Sequence, residues 1–179
     1  CTRIAAPGPL APFRVLDLTN ELGQLSSRLL GDLGADVIKV EPPGGDPSRW
    51  LTPFYNDESD PERSLHWWMF NANKRGITLD LKSPDSVKTL KDLVKDADIL
   101  VESYKPGTME RMGLGYDDLK VVNPNLIMTS VSNFGQTGPY RSYDASELTF
   151  FGMAGLMSSK GLPERYPLKM GGSHVQYQA

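Results

Sequence analysis

Short β-branched segments alternate with amphipathic segments along the chain, and this alternation restricts the possible folds more than any other feature. RVLDL at residues 14–18 and DVIKVE at 36–41 are typical of buried strands. GQLSSRLLGDLGA, between them, carries leucines at the spacing of one helical face, and that face is predicted to be buried. These leucines are Leu25, Leu29, Leu30 and Leu33.

The same alternation continues through the rest of the chain. Further predicted strands are RGITLDL at 75–81, DILVES at 98–103 and NLIMTSVS at 125–132. Further predicted helices are SPDSVKTLKDLVKDA at 83–97, TMERMG at 108–113, YDDLKVV at 116–122 and SELTFFGMAGLMS at 146–158. Strands joined by helical crossovers form mostly parallel sheets that are covered on both faces. The sequence therefore predicts an α/β fold, a doubly wound Rossmann-like domain.

The chain ends are unmarked, which bears on domain organisation. Cys1 stands where an initiator Met is expected, and the final residues carry no helix stop signal. We expect residues 1–12 to be an N-terminal extension. Residues 13–179 are predicted to be a Rossmann-like domain that is incomplete and continues beyond the chain end.

Composition excludes several classes of protein. A net charge of −3 gives no basic surface for nucleic acid, and no apolar run approaches the roughly 18 residues of a membrane span. One cysteine and no secretory signal favour a cytoplasmic location without disulfides. With only His66 and His174, a histidine-rich metal site is not expected. His66 lies among aromatic residues and is predicted to be packed, whereas His174 is predicted to be exposed without a role.

Ligands of open α/β sheets bind beyond the carboxyl ends of the strands, where several polar segments occur. None of them matches a glycine-rich nucleotide motif. NANKRG gathers Asn71, Asn73, Lys74 and Arg75, which could neutralise a phosphate-bearing ligand. The alternative is a solvated turn, which the pattern alone favours.

SYKPGTMERMG offers a second possible ligand site. Tyr104 could stack on an adenine, while Lys105 and Arg111 could bind phosphates at the start of a helix. The alternative is a capped surface helix that buries Met109 and Met112 in the core. Composition does not separate these two interpretations.

Asp144 and Glu147 form a possible acid–base pair. They are spaced to share one helix face. Equally, the two carboxylates could stabilise the start of a helix whose N-cap is Ser146, and we favour this interpretation for Asp144.

Five segments, taken in order, resemble the class III CoA-transferases, the CaiB/BaiF or formyl-CoA transferase family. They are RVLDLT…LGDLGADVIKVEPPGGDPSR, FNANKRGITLDLKSP, ADILVESYKPGTMERMGL, NPNLIMTSVSNFGQTGPY and MAGLMSSKG. The resemblance implies a protein that moves coenzyme A from an acyl-CoA to a carboxylic acid acceptor. It also implies an interlocked homo- or heterodimer, of which this chain would be the N-terminal part of the large domain.

The resemblance further implies which residues contact the cofactor. Glu21 would lie at the substrate end of coenzyme A, and Ser103 stands where some relatives have Asn. The residues expected at the adenine and phosphates are Asn73, Lys74, Arg75, Ser103, Tyr104, Arg111 and Met112.

The family nucleophile is an aspartate, and its position here is occupied by Gln176. An amide cannot form the mixed anhydride that this chemistry requires. The resemblance therefore favours a CoA-fold subunit or half-domain whose nucleophile comes from a partner chain or domain, as in benzylsuccinate-type heteromeric transferases. Alternatives are a homomeric transferase that uses Glu147 or Glu21, and a non-catalytic acyl-CoA-binding or scaffold module. Racemase activity on α-methylacyl-CoA is least favoured, because Ser146 and Gln176 replace its His and Asp.

Overall fold

A computed structural model describes residues 8–174 and residue 177. The chain divides into two compact units, residues 1–132 and residues 133–179. Cys1 and Gln176, both considered in the sequence analysis, lie outside the described residues. Among the described residues, no helix is both long and apolar enough to cross a membrane.

The first unit is built on a five-stranded sheet in which every neighbouring pair is parallel. The strands are β1 (Arg14–Leu18), β2 (Asp36–Glu41), β3 (Lys74–Thr78), β4 (Ile99–Glu102) and β5 (Ile127–Ser130). Their order across the sheet is β3-β2-β1-β4-β5. The winding direction therefore reverses between β1 and β4, which makes the carboxyl ends of these two strands the topological switch point.

Helices connect the strands. They are α1 (Gln24–Asp32), α2 (Leu65–Asn71), α3 (Pro84–Val94), α4 (Thr108–Arg111) and α5 (Tyr116–Val122). Short 3₁₀ helices at Pro47–Trp50 and Tyr55–Asp57 precede α2. The predicted doubly wound α/β fold is confirmed. The helix α2, which aromatic LHWWMFN forms behind the N-cap Ser64, is not among the predicted elements.

Each face of the sheet has its own apolar core, because successive residues of a strand point to opposite faces. The larger core joins alternate strand residues to side chains from α3, α4 and α5. Its members include Leu16, Ile38, Leu100, Leu90 and Leu119. The smaller core contains Val15, Val37 and Val101 and is packed by Leu30 of α1. The smaller core is limited because charged residues occupy the rest of that sheet face.

The predicted buried face of α1 is only partly confirmed, because Leu30 packs against the smaller core but two other leucines do not lie in it. Leu29 and Leu33 are 53% and 48% exposed, while Gln24 and Ser27 are fully buried. The cause is the sheet face beneath the helix, where Asp17 and its neighbours require hydrogen-bond donors and acceptors rather than methyl groups.

The second unit contains α6 (Glu147–Met153) and a 3₁₀ helix at Leu156–Ser159. Ser146 is the N-cap of α6, as predicted, and its hydroxyl accepts a hydrogen bond from the Thr149 backbone N–H. Within the same unit, the Phe134 ring packs near three other aromatic rings, those of Tyr140, Tyr143 and Phe150.

Candidate functional site

The carboxyl ends of β1 and β4 carry two loops that face each other across the switch point. The first loop, residues 19–23, leads into α1, and the second, residues 103–107, leads into α4. Backbone groups at such an edge are available to a ligand in α/β folds. The geometry of these two loops therefore decides what the edge can bind.

Thr19, the first residue of the first loop, is hydrogen-bonded to charged side chains of the strands β1 and β2. Its backbone N–H and its hydroxyl both donate to Oδ1 of Asp17, at 2.8 and 2.6 Å. Its carbonyl accepts a hydrogen bond from the Lys39 ammonium. Donor and acceptor groups of the loop are thus bound to ionised side chains of β1 and β2, which leaves the start of the loop little freedom.

Asn20 and Ser103 connect the two loops directly. The Asn20 backbone N–H donates to Oγ of Ser103 at 2.7 Å, and that hydroxyl donates to Oδ1 of Asn20 at 2.9 Å. The same Oδ1 also accepts the Leu22 N–H at 3.1 Å. Ser103 is only 6% exposed. The two loops are therefore bridged at the point where the strand order reverses.

Beneath the first loop lies a buried ionic cluster formed by Asp17, Lys39, Asp46 and Lys74. The Lys74 ammonium is 2.8 Å from Oδ2 of Asp17, and the Lys39 ammonium lies 3.6 Å from a carboxylate oxygen of both Asp17 and Asp46. Each of the four side chains is at most 5% exposed. The formal charges cancel within the cluster, which buried charges require.

Charge balance sets the ionisation of the cluster. Burial disfavours the charged form of Asp17, yet the ammonium groups of Lys39 and Lys74 outweigh it and hold the pKa of that carboxyl below its usual value. Burial lowers the pKa of Lys74, despite the opposing charge of Asp17. Lys74 also donates to the Gln24 carbonyl at 2.9 Å and to Oδ1 of Asn71 at 2.9 Å. The Lys74 ammonium thus has three hydrogen-bond acceptors inside the fold.

A second ion pair lies beside the cluster. Nε and Nη2 of Arg49 bind the two oxygens of Glu41 at 2.6 and 2.9 Å, and the guanidinium carbon lies 4.0 Å from the centre of the Trp67 ring. Burial opposes the ionisation of Glu41, but the hydrogen bonds it accepts from Arg49 and from the Asp46 N–H, together with the positive charge of Arg49, outweigh this and lower the pKa of the carboxyl. This forked and stacked arrangement holds the 42–50 loop against α2.

The second loop is supported by Glu102, the last residue of β4. Its Oε2 accepts the Tyr104 N–H at 2.7 Å, and Glu102 is 3% exposed. Burial raises the pKa of Glu102, and the hydrogen bonds from Ser130 and from the Tyr104 N–H only partly oppose this. Burial also raises the pKa of Tyr104. The ring of Tyr104 packs against the larger apolar core and is partly exposed.

The structure supports the surface-helix interpretation of the SYKPGTMERMG segment, while its role as a ligand site stays a prediction. Met109 is 3% exposed and Met112 packs against the larger core, as a surface helix requires. Arg111 is exposed and donates to the Thr108 hydroxyl at 2.8 Å. Four of the predicted cofactor residues therefore occur close together in the chain at the carboxyl edge of β4. They are Ser103, Tyr104, Arg111 and Met112.

The NANKRG segment lies at the opposite edge. Lys74 pairs with Val37 near the amino end of β2, so Asn73, Lys74 and Arg75 enter the sheet at its amino edge. Asn73 donates to Asp32 at 2.7 Å, and Arg75 binds Asp36 through two nitrogens at 2.8 and 2.7 Å. Asn73 and Arg75 are therefore bound to carboxylates at the amino edge, away from the Ser103–Met112 group, whereas the Lys74 ammonium extends to Asp17 beneath the first loop.

In the second unit, Glu147 is 8% exposed at the start of α6, and Asp144 precedes its N-cap. Asp144 is thus outside the helix whose face it was predicted to share with Glu147. Across residues 8–174 and 177, no group of three or more His, Cys, Asp or Glu side chains is arranged to hold a metal ion.

Sequence reasoning missed the roles of Asp17, Asn20, Lys39 and Asp46. A signal existed for Asp17 and Lys39, since a charged residue inside a buried strand needs a partner on the same face. The two occupy equivalent positions in adjacent strands. Neither Asn20 nor Asp46 carries such a signal, because each lies in a loop.

Comparison with known proteins decides the family. The model of CoA-transferase family III matches residues 10–179. The chain belongs to CoA-transferase family III. It is 44% identical to the succinyl-CoA–D-citramalate CoA-transferase of Chloroflexus aurantiacus, over 92% of this chain and 40% of that protein. It is 39% identical to subunit BbsE of the succinyl-CoA:(R)-benzylsuccinate CoA-transferase of Thauera aromatica, over 88% of this chain and 38% of that subunit.

A solved structure supports the same assignment. The crystal structure of a CaiB/BaiF family protein from Brucella suis superimposes with a TM-score of 0.87 at 37% identity, covering 94% of this chain and 45% of that one. This family III chain therefore spans about two fifths of the length of the curated relatives it matches.

Proposed function

We propose that the protein transfers coenzyme A between carboxylic acids, with an acyl-CoA as donor and a free carboxylate as acceptor. The main support is that the family match runs through the loops at the β1–β4 switch point, where ligands of this fold class bind. Residues 13–179 would form a Rossmann-like CoA-binding domain that continues beyond this segment. The protein would act in the cytoplasm as a dimer.

The nucleotide end of coenzyme A would bind at the edge formed by the 103–107 loop and α4. Tyr104 has a partly exposed aromatic face for adenine, and Met112 lines the same apolar surface. Arg111 is exposed and free to rotate toward a phosphate, because its present bond is to a neutral hydroxyl. Glu21, in the facing loop, would approach the thioester end.

Asn73, Lys74 and Arg75 would act differently from these residues. Each is engaged by a carboxylate of the same unit, and Lys74 is buried. A contact with phosphates would require Asn73 and Arg75 to exchange Asp32 and Asp36 for the ligand. We propose that any contribution of this segment is made by Asn73 and Arg75, while Lys74 neutralises Asp17.

The acyl-transfer step would use a carboxylate from a partner subunit or a further domain. Gln176 stands where the family resemblance expects the nucleophilic aspartate, and an amide does not form an acyl anhydride. The similarity to BbsE, which is named as a subunit, is consistent with this division. The alternative, a homomeric transferase with another nucleophile, would use Glu147, which is 8% exposed at the start of α6.

Purification of the natural protein distinguishes these two forms. We expect the full product of the gene to exchange coenzyme A between succinyl-CoA and a set of carboxylic acids only when a copurifying homologue is present. Hydroxylamine should then trap an acyl group on an aspartate of that homologue. Exchange by the homogeneous chain alone, with trapping at Glu147 and loss of activity in Glu147→Gln, would overturn the heteromeric form.

A further inference from the structure

The donor and the acceptor of each hydrogen bond in the bridge between Asn20 and Ser103 can be assigned. A backbone N–H only donates, so the Leu22 N–H must face an oxygen, and the atom it faces is therefore Oδ1 of Asn20. Because Oδ1 only accepts, the Ser103 hydroxyl must donate its proton to it. The Asn20 N–H then donates to the free lone pair of that hydroxyl.

This assignment leaves the Ser103 hydroxyl without a proton for a ligand. A serine hydroxyl has one proton, and here it is committed to Asn20. One of its two lone pairs is also occupied, by the Asn20 N–H. Ser103 is 6% exposed, which further restricts access by a ligand. The hydroxyl therefore joins the two loops through its proton and one lone pair, so a contact with coenzyme A would use its remaining lone pair or the backbone of Ser103.

The bridge governs the position of Glu21. The residues on both sides of Glu21, Asn20 and Leu22, bind atoms of the bridge through their backbone N–H groups. The Gly23 N–H donates to the Asn20 carbonyl at 3.0 Å, which tightens the turn. On the other side, Thr19 is bound to Asp17. Glu21 is thus held in a turn that closes on Asn20 and is anchored to β1 through Thr19 and to the loop after β4 through Asn20.

We propose that Asn20 and Ser103 are positioning residues, which fix the first loop, and with it Glu21, against the second loop at the switch point. This inference rests on the proposed function, because the loop matters for the reaction only if the thioester lies beside it. The two residues act through loop geometry. Their removal is therefore expected to slow turnover while leaving the nucleotide end of coenzyme A, at Tyr104 and Arg111, in place.

The test is a double-mutant cycle in the full product of the gene, with its copurifying partner where one is needed. Ser103→Ala is expected to lower kcat about tenfold, the effect of losing roughly one net hydrogen bond in the reactive geometry. The Kd for free coenzyme A should change less than about twofold. Asn20→Ala should also lower kcat, and Asn20→Asp should restore it, since a carboxylate oxygen accepts the same two bonds. The double variant Asn20→Ala/Ser103→Ala should be within about twofold of Ser103→Ala alone.

Controls separate this inference from the proposed function. Ser86→Ala deletes a hydroxyl in α3 and should leave kcat unchanged. Amide hydrogen exchange without ligand should become faster at Asn20 and Leu22 in Ser103→Ala, which reports the bridge independently of activity. Multiplicative effects in the double variant would show that the two residues act independently, and a raised Kd with unchanged kcat in Ser103→Ala would show direct contact with the ligand; either result would overturn the inference. A wild-type protein that neither binds nor transfers coenzyme A would instead overturn the proposed function, whatever the exchange rates show.

Discussion

Replacing Asp17 by asparagine should strongly destabilise the first unit, because no orientation of the amide satisfies the cluster. Oδ1 of Asp17 accepts two bonds from Thr19, one of them from the backbone N–H, and Oδ2 accepts bonds from Ser27 and Lys74. The NH₂ of an asparagine must replace one of these oxygens. It then faces either the Thr19 N–H or the Lys74 ammonium, and neither can accept a hydrogen bond.

The expected magnitude follows from the charge left behind. In wild type, two ammonium groups face the carboxylates of Asp17 and Asp46, whereas Asp17→Asn leaves one positive charge uncompensated in the interior. Removing one partner of a buried ion pair costs about 3–5 kcal/mol. Since small domains are stable by only about 5–15 kcal/mol, this is a large part of the total.

Urea denaturation of the full product of the gene measures this loss, with Asp92→Asn as the matched control. Asp92 forms an exposed pair with Lys95, so its substitution should leave the transition unchanged. The double variant Asp17→Asn/Lys74→Met restores neutrality and should be less destabilised than the sum of its single variants. A loss below about 1 kcal/mol in Asp17→Asn, or strict additivity, would refute the ionic account.

Three further predictions concern neighbouring sites. Gly23→Ala should cost about 1–3 kcal/mol, because its Cβ would lie 2.6 Å from Cγ2 of Thr19, whereas Gly171→Ala meets open space and should be neutral in the same thermal melt. Arg49→Lys keeps the charge but loses the fork on Glu41, and a destabilisation of about 1 kcal/mol is expected in urea; equal stability would contradict the bidentate geometry. Glu102→Gln should gain stability relative to wild type as the pH rises above 4.5. Because the pKa of Glu102 is higher in the folded than in the unfolded chain, its ionisation destabilises the wild-type fold, and glutamine does not ionise. A stability difference that does not change with pH would contradict this.

The fold was predictable from local patterns, because strand and helix periodicity are properties of neighbouring residues. The segment that forms α2 escaped prediction since LHWWMFN is short and rich in aromatic residues, which have low helix propensity. The exposure of Leu29 and Leu33 on α1 escaped prediction for a different reason. Leucine spacing predicts a buried stripe only when the surface beneath is apolar, and here that surface carries Asp17.

The candidate site was only partly predictable for a related reason. The residues of the β4–α4 edge are close in sequence, so SYKPGTMERMG could be considered as a unit. The bridge joins Asn20 to Ser103, which are 83 positions apart, and the link from Lys74 to Asp17 spans 57 positions. Contacts of this kind depend on strand order, which sequence periodicity does not supply.

Calorimetric titration of coenzyme A into the full product of the gene tests the central claim most directly, namely that the edge formed by the 103–107 loop and α4 binds the cofactor. We expect measurable binding by the wild type and by Arg63→Ala, a change at a surface arginine paired with Glu58. Arg111→Ala should weaken binding about tenfold or more, the loss of a charge-assisted phosphate contact. No heat with the wild type, or equal affinity in Arg111→Ala, would contradict the account.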